Sequence, residues 1–248
     1  MKSQRIILIG ATSAIAQHCA RRWAIQASSM LLVGRNEIRL AAVAEDLRVR
    51  GPQADVRAVT VDFMDGNAID SLVADYAAGG AIDIALVAHG NLPDQMACQN
   101  ELPLCSEALE LNGISPALFV EALAKYMEPA GTGRLAVIGS VAGDRGRKSN
   151  YIYGAAKGLL DRYSQGMQHR LAGSGVSVCL IKPGPTSTPM TAHLLEDGPS
   201  LAAVEDVAEA VVRGIERKKP VIYAPGKWAV IMLLIKHLPR FIFNKLDI

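Results

Sequence analysis

A large excess of charge of either sign is absent from this chain of 248 residues. Its 26 Lys and Arg residues stand against 24 Asp and Glu residues, which gives a formal net charge of +2. A protein that binds nucleic acid usually carries a strongly basic face. The sequence therefore gives no indication of a nucleic-acid partner, and a nearly neutral surface is expected.

Cysteine is scarce as well. The chain has four cysteines, with no C-x-x-C pair and no His at metal-ligand spacing: Cys19, Cys98, Cys105 and Cys179. We therefore predict free thiols in a reducing cytoplasm and no metal site. No signal peptide opens the sequence, because residues 5–10 form a short strand-like run rather than a charged segment followed by a long apolar one.

The chain does contain a regular alternation of short apolar runs and longer stretches with helical periodicity. The runs are rich in Val, Ile and Leu, as strands buried on both faces of a sheet are. They lie at residues 5–9, 30–33, 56–61, 82–88, 133–138, 176–181 and 221–223. Helices are predicted at residues 14–26, 37–50, 67–78, 114–128, 150–171 and 204–217. The pattern predicts an α/β fold: one doubly wound Rossmann-type domain with a mostly parallel, seven-stranded sheet.

The first strand-to-helix junction, residues 9–16, is where such a sheet would receive a dinucleotide. A pyrophosphate binds there against the backbone N–H groups of a helix N-terminus, and small residues let it come close. Gly10 is the only glycine in the junction, and Ala14 and Ala16 stand at the two later glycine positions. A tight turn without a ligand explains the loop equally well, but its place after the first strand favours a cofactor.

The residues after the second and third strands indicate which dinucleotide binds. Arg35 can neutralise a 2′-phosphate, whereas NAD would call for an acidic residue there, so NADP is the predicted cofactor. The alternative is that Arg35 is a solvated loop charge. Asp62 is expected either to accept a hydrogen bond from the adenine amino group or to cap the helix that begins near Asn67.

Tyr153 and Lys157 stand four residues apart on a predicted helix, so the lysine ammonium can lie beneath the phenol and favour its ionised form. Ser140 precedes Tyr153 by thirteen residues and can hold the other side of a reacting oxygen. This set predicts a proton-transfer site. A second Tyr-x-x-x-Lys begins at Tyr223, but its interior Pro-Gly disfavours a helix, so we interpret it as a coincidence.

Together these motifs resemble the short-chain dehydrogenase/reductase family over essentially the whole chain. The resemblance implies a catalytic tetrad of Asn112, Ser140, Tyr153 and Lys157, in which Asn112 bends its helix and holds a water; the bare sequence would make Asn112 a helix cap. Tyr153 and Lys157 are also implied to touch the cofactor. The other implied cofactor contacts are Gly10, Thr12, Ser13, Ile15, Asp62, His89, Gly90, Pro183, Gly184, Thr186 and Thr188.

Two departures from the family pattern narrow the resemblance. Ala14 and Ala16 replace glycines, and residues 87–90 read Val-Ala-His-Gly where the family has two asparagines. With the segment up to Arg147, these features look like reductases of decaprenylphosphoryl-2-keto-pentose, which implies a polyprenyl-linked keto-sugar as the carbonyl substrate. His89 is expected either to contact substrate or, with more weight, to bond to backbone. Arg145, Arg147 and Lys148 are expected to be solvated or to bind an anionic phosphate.

Other functions stay open at this stage. The rival substrate is a 3-keto-acyl thioester, and the rival class is a non-catalytic NADP-binding protein that acts as a sensor or in assembly. The retention of Ser140, Tyr153 and Lys157 favours an enzyme.

The segment after residue 225 is additional to a minimal domain of this type. Residues 1–225 are expected to form the NADP-binding domain, with residues 226–248 as an apolar and basic extension of it. The run at residues 228–235 is too short to cross a bilayer, which takes about twenty residues. The extension is expected to pack on the body or on a partner subunit of a homo-oligomer, or to lie peripherally at the inner face of the membrane. In the membrane case, deletion after Pro225 would spare activity on a water-soluble substrate.

Overall fold

A computed structural model describes residues 3–194 and 201–246, and it contains a seven-stranded sheet flanked by helices. The strands run in the order β3-β2-β1-β4-β5-β6-β7, and every neighbouring pair is parallel. They are β1 (Gln4–Ile9), β2 (Ala27–Gly34), β3 (Asp55–Thr60), β4 (Ile84–Val87), β5 (Gly133–Ile138), β6 (Val176–Pro183) and β7 (Val221–Ala224). The predicted fold class is confirmed.

Helices cover both faces of the sheet. They are α1 (Ala14–Trp23), α2 (Glu37–Arg50), α3 (Gly66–Ala78), α4 (Gln95–Asn100), α5 (Leu102–Leu109), α6 (Ser115–Ala130), α7 (Tyr151–Arg170), α8 (Val204–Glu216), α9 (Lys227–His237) and α10 (Arg240–Phe243). A π-helical turn, Glu110–Ile114, joins α5 to α6. Helices α4, α5, α9 and α10 were not predicted from the sequence.

Alternate residues of the central strand enter opposite halves of the core, which explains its unbroken apolar sequence. Ile6 and Leu8 pack with α1, α2 and α8 on one side of the sheet. Ile7 and Ile9 pack with α3, α6 and α7 on the other. Burial on both faces is typical of a parallel sheet and leaves its carboxyl edge as the exposed place for a ligand.

A buried ionic cluster ties the later strands to the segments around them. The Lys182 ammonium on β6 binds Asp161 of α7 at 2.8 Å and also Asp144, whose second oxygen accepts from the Tyr223 hydroxyl at 2.8 Å. Burial alone would lower the pKa of Lys182, but the two carboxylates raise it above its ordinary value. Tyr223 therefore belongs to this cluster on β7, in agreement with its interpretation as a coincidental motif.

The C-terminal extension packs on the body through one face of α9. Trp228 lies against Gly184, where an added Cβ would come within 1.9 Å of the indole Nε1, and Met232 is buried. Arg145 donates to the Ile235 and Leu238 carbonyls at the end of α9. These contacts confirm packing on the body for this face. Deletion after Pro225 would remove these contacts to Gly184 and Arg145, and its effect on activity stays a prediction.

Candidate active site

The segments that follow the strands carry most of the predicted site residues. Gly10, Arg35 and Asp62 come directly after or soon after β1, β2 and β3. His89 and Gly90 follow β4, Ser140 follows β5, and Pro183 ends β6. Because all strands are parallel, these segments meet at one edge of the sheet, which is the ligand-binding edge of this architecture.

The loops after β1 and β4 touch at the point where the strand order reverses. Gly10 has φ of +76°, a backbone conformation that favours glycine. A Cβ added to Gly10 would lie 2.6 Å from the backbone nitrogen of His89. Both observations require glycine at this position. The two loops therefore approach each other closely at the switch point of the sheet, where this architecture binds its ligand.

The N-terminus of α1 suits a phosphate group. Ser13 is its N-cap residue, but its side chain makes no capping hydrogen bond, and the first turn carries no acidic residue. The N–H groups of this turn lack helical partners and attract anions. Ala14 and Ala16 lie within the helix, and among the described residues only Lys218 is a non-glycine with positive φ. The two alanines are therefore compatible with the backbone at these positions.

The remaining loop residues differ in their setting. The Thr12 carbonyl accepts a hydrogen bond from the Gln17 side chain at 3.0 Å, while Ile15 is buried in the core. Because the Ile15 side chain is buried, little of its surface is accessible to a cofactor. Backbone atoms of this turn are the groups available to a ligand.

Arg35 and Asp62 are both exposed at the same edge. The Arg35 guanidinium lies 5.8 Å from the Phe63 ring centroid, and within the described part of the chain no carboxylate pairs with it. Asp62 accepts from the Met64 backbone N–H at 2.9 Å. The alternative of Asp62 as a helix cap is wrong, since Asp65 caps α3 through the N–H groups of the next turn.

The structure brings Ser140, Tyr153 and Lys157 together beside β5. A hydrogen bond joins the Ser140 and Tyr153 side chains. The Lys157 ammonium donates to the Ile138 carbonyl at 3.1 Å and lies 5.7 Å from the centroid of the Tyr153 ring. The spacing of four residues on α7 places both side chains on one face, as the sequence predicts.

Burial decides the protonation of this pair. It raises the pKa of Tyr153 to about 12, and the hydrogen bond with Ser140 lowers this pKa only in part. Burial also lowers the pKa of Lys157 to about 8. We expected Lys157 to depress the phenol pKa, but the structure shows desolvation as the larger effect. At neutral pH Tyr153 is a protonated acid and Lys157 a cation close to its titration range.

Asn112 lies fully buried in the π-helical turn between α5 and α6. Its amide nitrogen donates to the Asn91 side chain at 2.8 Å and to the Ala108 carbonyl at 2.9 Å, and its oxygen accepts from the Asn91 N–H at 2.9 Å. The helix-cap alternative is therefore wrong. The bend implied by the family resemblance is present, since a π-helical turn distorts the helix at this point.

Gly90 connects Asn112 with the lysine. A Cβ added there would lie 2.7 Å from the Asn112 amide oxygen and 3.5 Å from the Lys157 ammonium, and Gly90 has φ of +152°. Asn91, which the sequence analysis missed, supplies a side-chain amide where the residues before Gly90 lack one. Its place immediately after Gly90 was the available signal.

His89 is a buried, neutral side chain that points away from solvent. Its Nε2 is 2.9 Å from the Ser115 hydroxyl, and that hydroxyl donates to the Phe63 carbonyl at 2.7 Å, so Nε2 carries the proton. Burial, with Lys157 and Arg35 nearby, lowers the pKa of His89 well below its usual value. The predicted bond from the imidazole to backbone is wrong, because its partner is the Ser115 hydroxyl. The predicted contact with substrate stays a prediction, and the His89 backbone borders the cofactor loop. Ser115 was missed.

The segment after β6 is held by its own hydrogen bonds. The Thr186 hydroxyl is buried and donates to the Gly184 carbonyl at 2.8 Å. Thr188 is half-buried, and its N–H donates to the Thr191 hydroxyl at 3.2 Å. Thr186 therefore stabilises the turn, and the Gly184 N–H also donates to the Ala224 carbonyl at 3.0 Å. The cofactor contacts expected of Pro183, Gly184 and Thr188 stay predictions.

The basic residues between Ser140 and Tyr153 have separate roles. Arg145 is no solvated loop charge, because it binds the end of α9 and its guanidinium carbon lies 3.8 Å from the Phe243 ring centroid. Arg147 is half-buried, and burial lowers its pKa. Its Nε has no hydrogen-bond partner in the described structure.

A family model described as short chain dehydrogenase matches residues 4–198. The chain belongs to this family. An uncharacterized oxidoreductase of Mycobacterium tuberculosis is 32% identical over 244 residues, covering 97% of this chain and 96% of the relative. A second, from Streptomyces coelicolor, is 30% identical over 243 residues, covering 97% and 95%. The protein is thus an oxidoreductase of the short-chain dehydrogenase type, a family that binds a nicotinamide cofactor.

Solved structures share the fold. A short-chain dehydrogenase/reductase from Mycobacterium ulcerans has a TM-score of 0.81 at 22% identity, covering 99% of this chain and 100% of its own. A short-chain dehydrogenase from Sphingobium yanoikuyae, in complex with NADPH, has a TM-score of 0.79 at 24% identity, covering 95% and 97%. Neither identity is high enough to carry over more than the fold.

The buried bond between His89 and Ser115 should be measurable in the stability of the protein. Ser115→Ala leaves the imidazole Nε2 and the Phe63 carbonyl without their partner, so the free energy of unfolding should fall by about 1–3 kcal/mol. Ser164 provides a matched control because its buried hydroxyl has no hydrogen-bond partner in the described structure. Ser164→Ala should change stability far less. Equal losses in urea unfolding would contradict the assigned bond.

Proposed function

We propose that the protein is an NADP-dependent enzyme that reduces a carbonyl group, or oxidises the corresponding secondary alcohol. The observation that carries this proposal is the buried constellation of Ser140, Tyr153 and Lys157 at the carboxyl edge of the sheet. A protein that only binds a dinucleotide has no need of a protonated phenol, a partner hydroxyl and a buried ammonium close together. That need separates the enzyme from the sensor or assembly alternative.

Each member of the constellation has a distinct part. Nicotinamide, when bound, supplies the hydride that adds to the carbonyl carbon. Tyr153 donates its proton to the carbonyl oxygen, and the Ser140 hydroxyl shares that oxygen. Lys157 binds the ribose and, as a cation, favours transfer from the phenol. Asn112 holds the turn beside Lys157, where a water can pass protons to the ammonium.

NADP is the proposed cofactor because of the charge at the end of β2. Arg35 is exposed and has no carboxylate partner among the described residues, so it is available to a 2′-phosphate. Gly10, Thr12, Ser13 and the N-terminus of α1 would hold the pyrophosphate. Asp62 would reach the adenine, and Gly90, Gly184 and Thr188 would line the nicotinamide end.

The substrate we propose first is an anionic, phosphate-linked keto-sugar on a polyprenyl carrier. Arg147 supports it: this half-buried guanidinium lies between Ser140 and Tyr153 in sequence and leaves its Nε unpartnered in the described structure. A 3-keto-acyl thioester is the second candidate. Turnover of a panel of keto-sugars and keto-acyl compounds with NADPH decides between them. We place the protein in the cytoplasm as a homo-oligomer.

The proton donor is tested by Tyr153→Phe, which keeps the ring and removes the transferable proton. Turnover should fall by about 10² or more with NADPH affinity nearly intact, since general acid catalysis is commonly worth that much. Tyr126→Phe is the control, because this phenol on α6 donates to Asp70 and belongs to none of the predicted site residues. Near-normal turnover of the Tyr153 variant would exclude the assigned role. Tyr223→Phe is unsuitable as a control, because it would disturb the buried ionic cluster.

Cofactor preference is tested by Arg35→Asp. The change replaces attraction to the 2′-phosphate with repulsion, so NADPH should bind at least tenfold more weakly while NADH changes little. Arg162→Asp on the exposed side of α7 controls for the change in net charge. Fluorescence titration gives both affinities. An unchanged ratio of NADPH affinity to NADH affinity would favour the alternative that Arg35 is a solvated loop charge.

The pH dependence of reduction follows from Lys157. Its pKa of about 8 means that the cation is present below pH 8 and is lost as the pH rises. Tyr153, at about 12, stays protonated across this range. We therefore expect kcat/KM for reduction to fall on an alkaline limb with a midpoint near pH 8. A rate that stays constant up to pH 10 would show that the charge on Lys157 does not matter.

A further inference from the structure

Helix α9 has two apolar faces, and only one of them is covered. Trp228, Met232 and Ile235 face the body of the protein. Val230, Leu233 and Leu234 lie on the opposite side and are 59–66% exposed. Phe241 of α10, later in the same segment, is 71% exposed. Contiguous exposed apolar side chains of this size mark a contact with a partner or with a lipid surface.

The charged side chains of the same segment are all basic. Residues 227–246 contain four Lys and Arg residues and no Asp or Glu, which leaves 22 basic and 24 acidic residues in the rest of the chain. Lys227, Arg240 and Lys245 are exposed beside the apolar side chains. Exposed apolar side chains and exposed cations in one short segment suit the interface of an anionic bilayer, because the first can enter the acyl boundary and the second attract the headgroups.

A basic cleft of about 370 Å³ adjoins this face. Gly226 and Ala229, which line it, precede Val230 and Leu233 on the exposed side of α9. Its opposite wall comes from the end of α8 and the turn before β7. The cationic residues in the lining are Arg213, Arg217 and Lys219. Glu209 pairs with Arg213, whereas the described residues offer no carboxylate to Arg217 or Lys219.

We propose that the exposed face of α9 and α10 docks on an anionic lipid surface, with the cleft between α8 and α9 receiving headgroup phosphates. The charge pattern selects this occupant over a second copy of the chain, because a twofold contact across this face would bring two identical basic rims together. No helix in the described ranges is long and apolar enough to cross a membrane. The docking is therefore lateral, with α9 in the plane of the surface.

The test is cosedimentation of the full-length protein with vesicles of phosphatidylcholine alone or of phosphatidylcholine with phosphatidylglycerol. We expect binding to the anionic vesicles only, and a decrease with added salt because the charges become screened. Leu233→Glu with Leu234→Glu should abolish binding. Arg217→Glu with Lys219→Glu should weaken it about 25-fold or more, from about fivefold for each lost charge.

Matched controls lie on other surfaces of the molecule. Val49→Glu on α2 changes an apolar side chain that is 81% exposed, and Arg162→Glu on α7 changes an exposed cation. Neither should affect sedimentation. Circular dichroism melting of every variant separates lost docking from lost folding, because the altered side chains are exposed and the melting temperature should stay close to that of the parent.

Three results would overturn the proposal. The first is absence of the protein from anionic vesicles at low salt, and the second is equal binding to neutral vesicles. The third is a dimer, seen by light scattering, that Leu233→Glu with Leu234→Glu dissociates while vesicles are ignored; the face would then belong to a second copy. Substrate and cofactor take no part in the assay, so its outcome is independent of the reaction assigned to Tyr153.

Discussion

The burial of the Lys157 ammonium is the constraint on which the site depends. The side chain is 3% exposed, and its ammonium donates to the Ile138 carbonyl. Within the described residues no carboxylate neutralises it. A buried charge of this kind is costly and responds by a change in pKa. Lys182 shows the contrast: it is equally buried, but two carboxylates raise its pKa. The fold uses one lysine for stability and keeps the other near its titration range.

The structure around Lys157 keeps that ammonium in place with neutral groups. Two hydrogen bonds between Asn112 and Asn91 join the π-helical turn to the loop after β4, and a third joins Asn112 to the Ala108 carbonyl of α5. His89, kept neutral, adds a bond to Ser115 rather than a second positive charge beside the lysine. This arrangement satisfies the polar groups of a buried region at little electrostatic cost. It also explains how the loop tolerates the departure from the family pattern before Gly90.

Features that depend on periodicity, or on spacing within one helix or strand, could be predicted from the sequence. The strands are continuous apolar runs because both faces are buried, and Tyr153 and Lys157 share a face because they are one helical turn apart. Helices α4 and α5 were missed because each is short, at 6 and 8 residues. Asp62 and Asp65 stand three residues apart, and only backbone geometry decides that Asp65 caps the helix. Partners distant in sequence, such as Arg145 with Leu238, leave no local signal.

The boundary predicted at residue 225 from composition does not separate the C-terminal extension from the candidate site. Trp228 packs on Gly184, in the segment proposed to hold the nicotinamide end, and Arg145 links the loop after Ser140 to the end of α9. Lys236 reaches the same buried Asp144 that pairs with Lys182. One face of α9 is therefore part of the wall around the site, while its other face is free to contact a surface. The exposed face and the side chains that contact Gly184 and Arg145 therefore belong to the same helix, so a surface that binds α9 binds an element of the site wall.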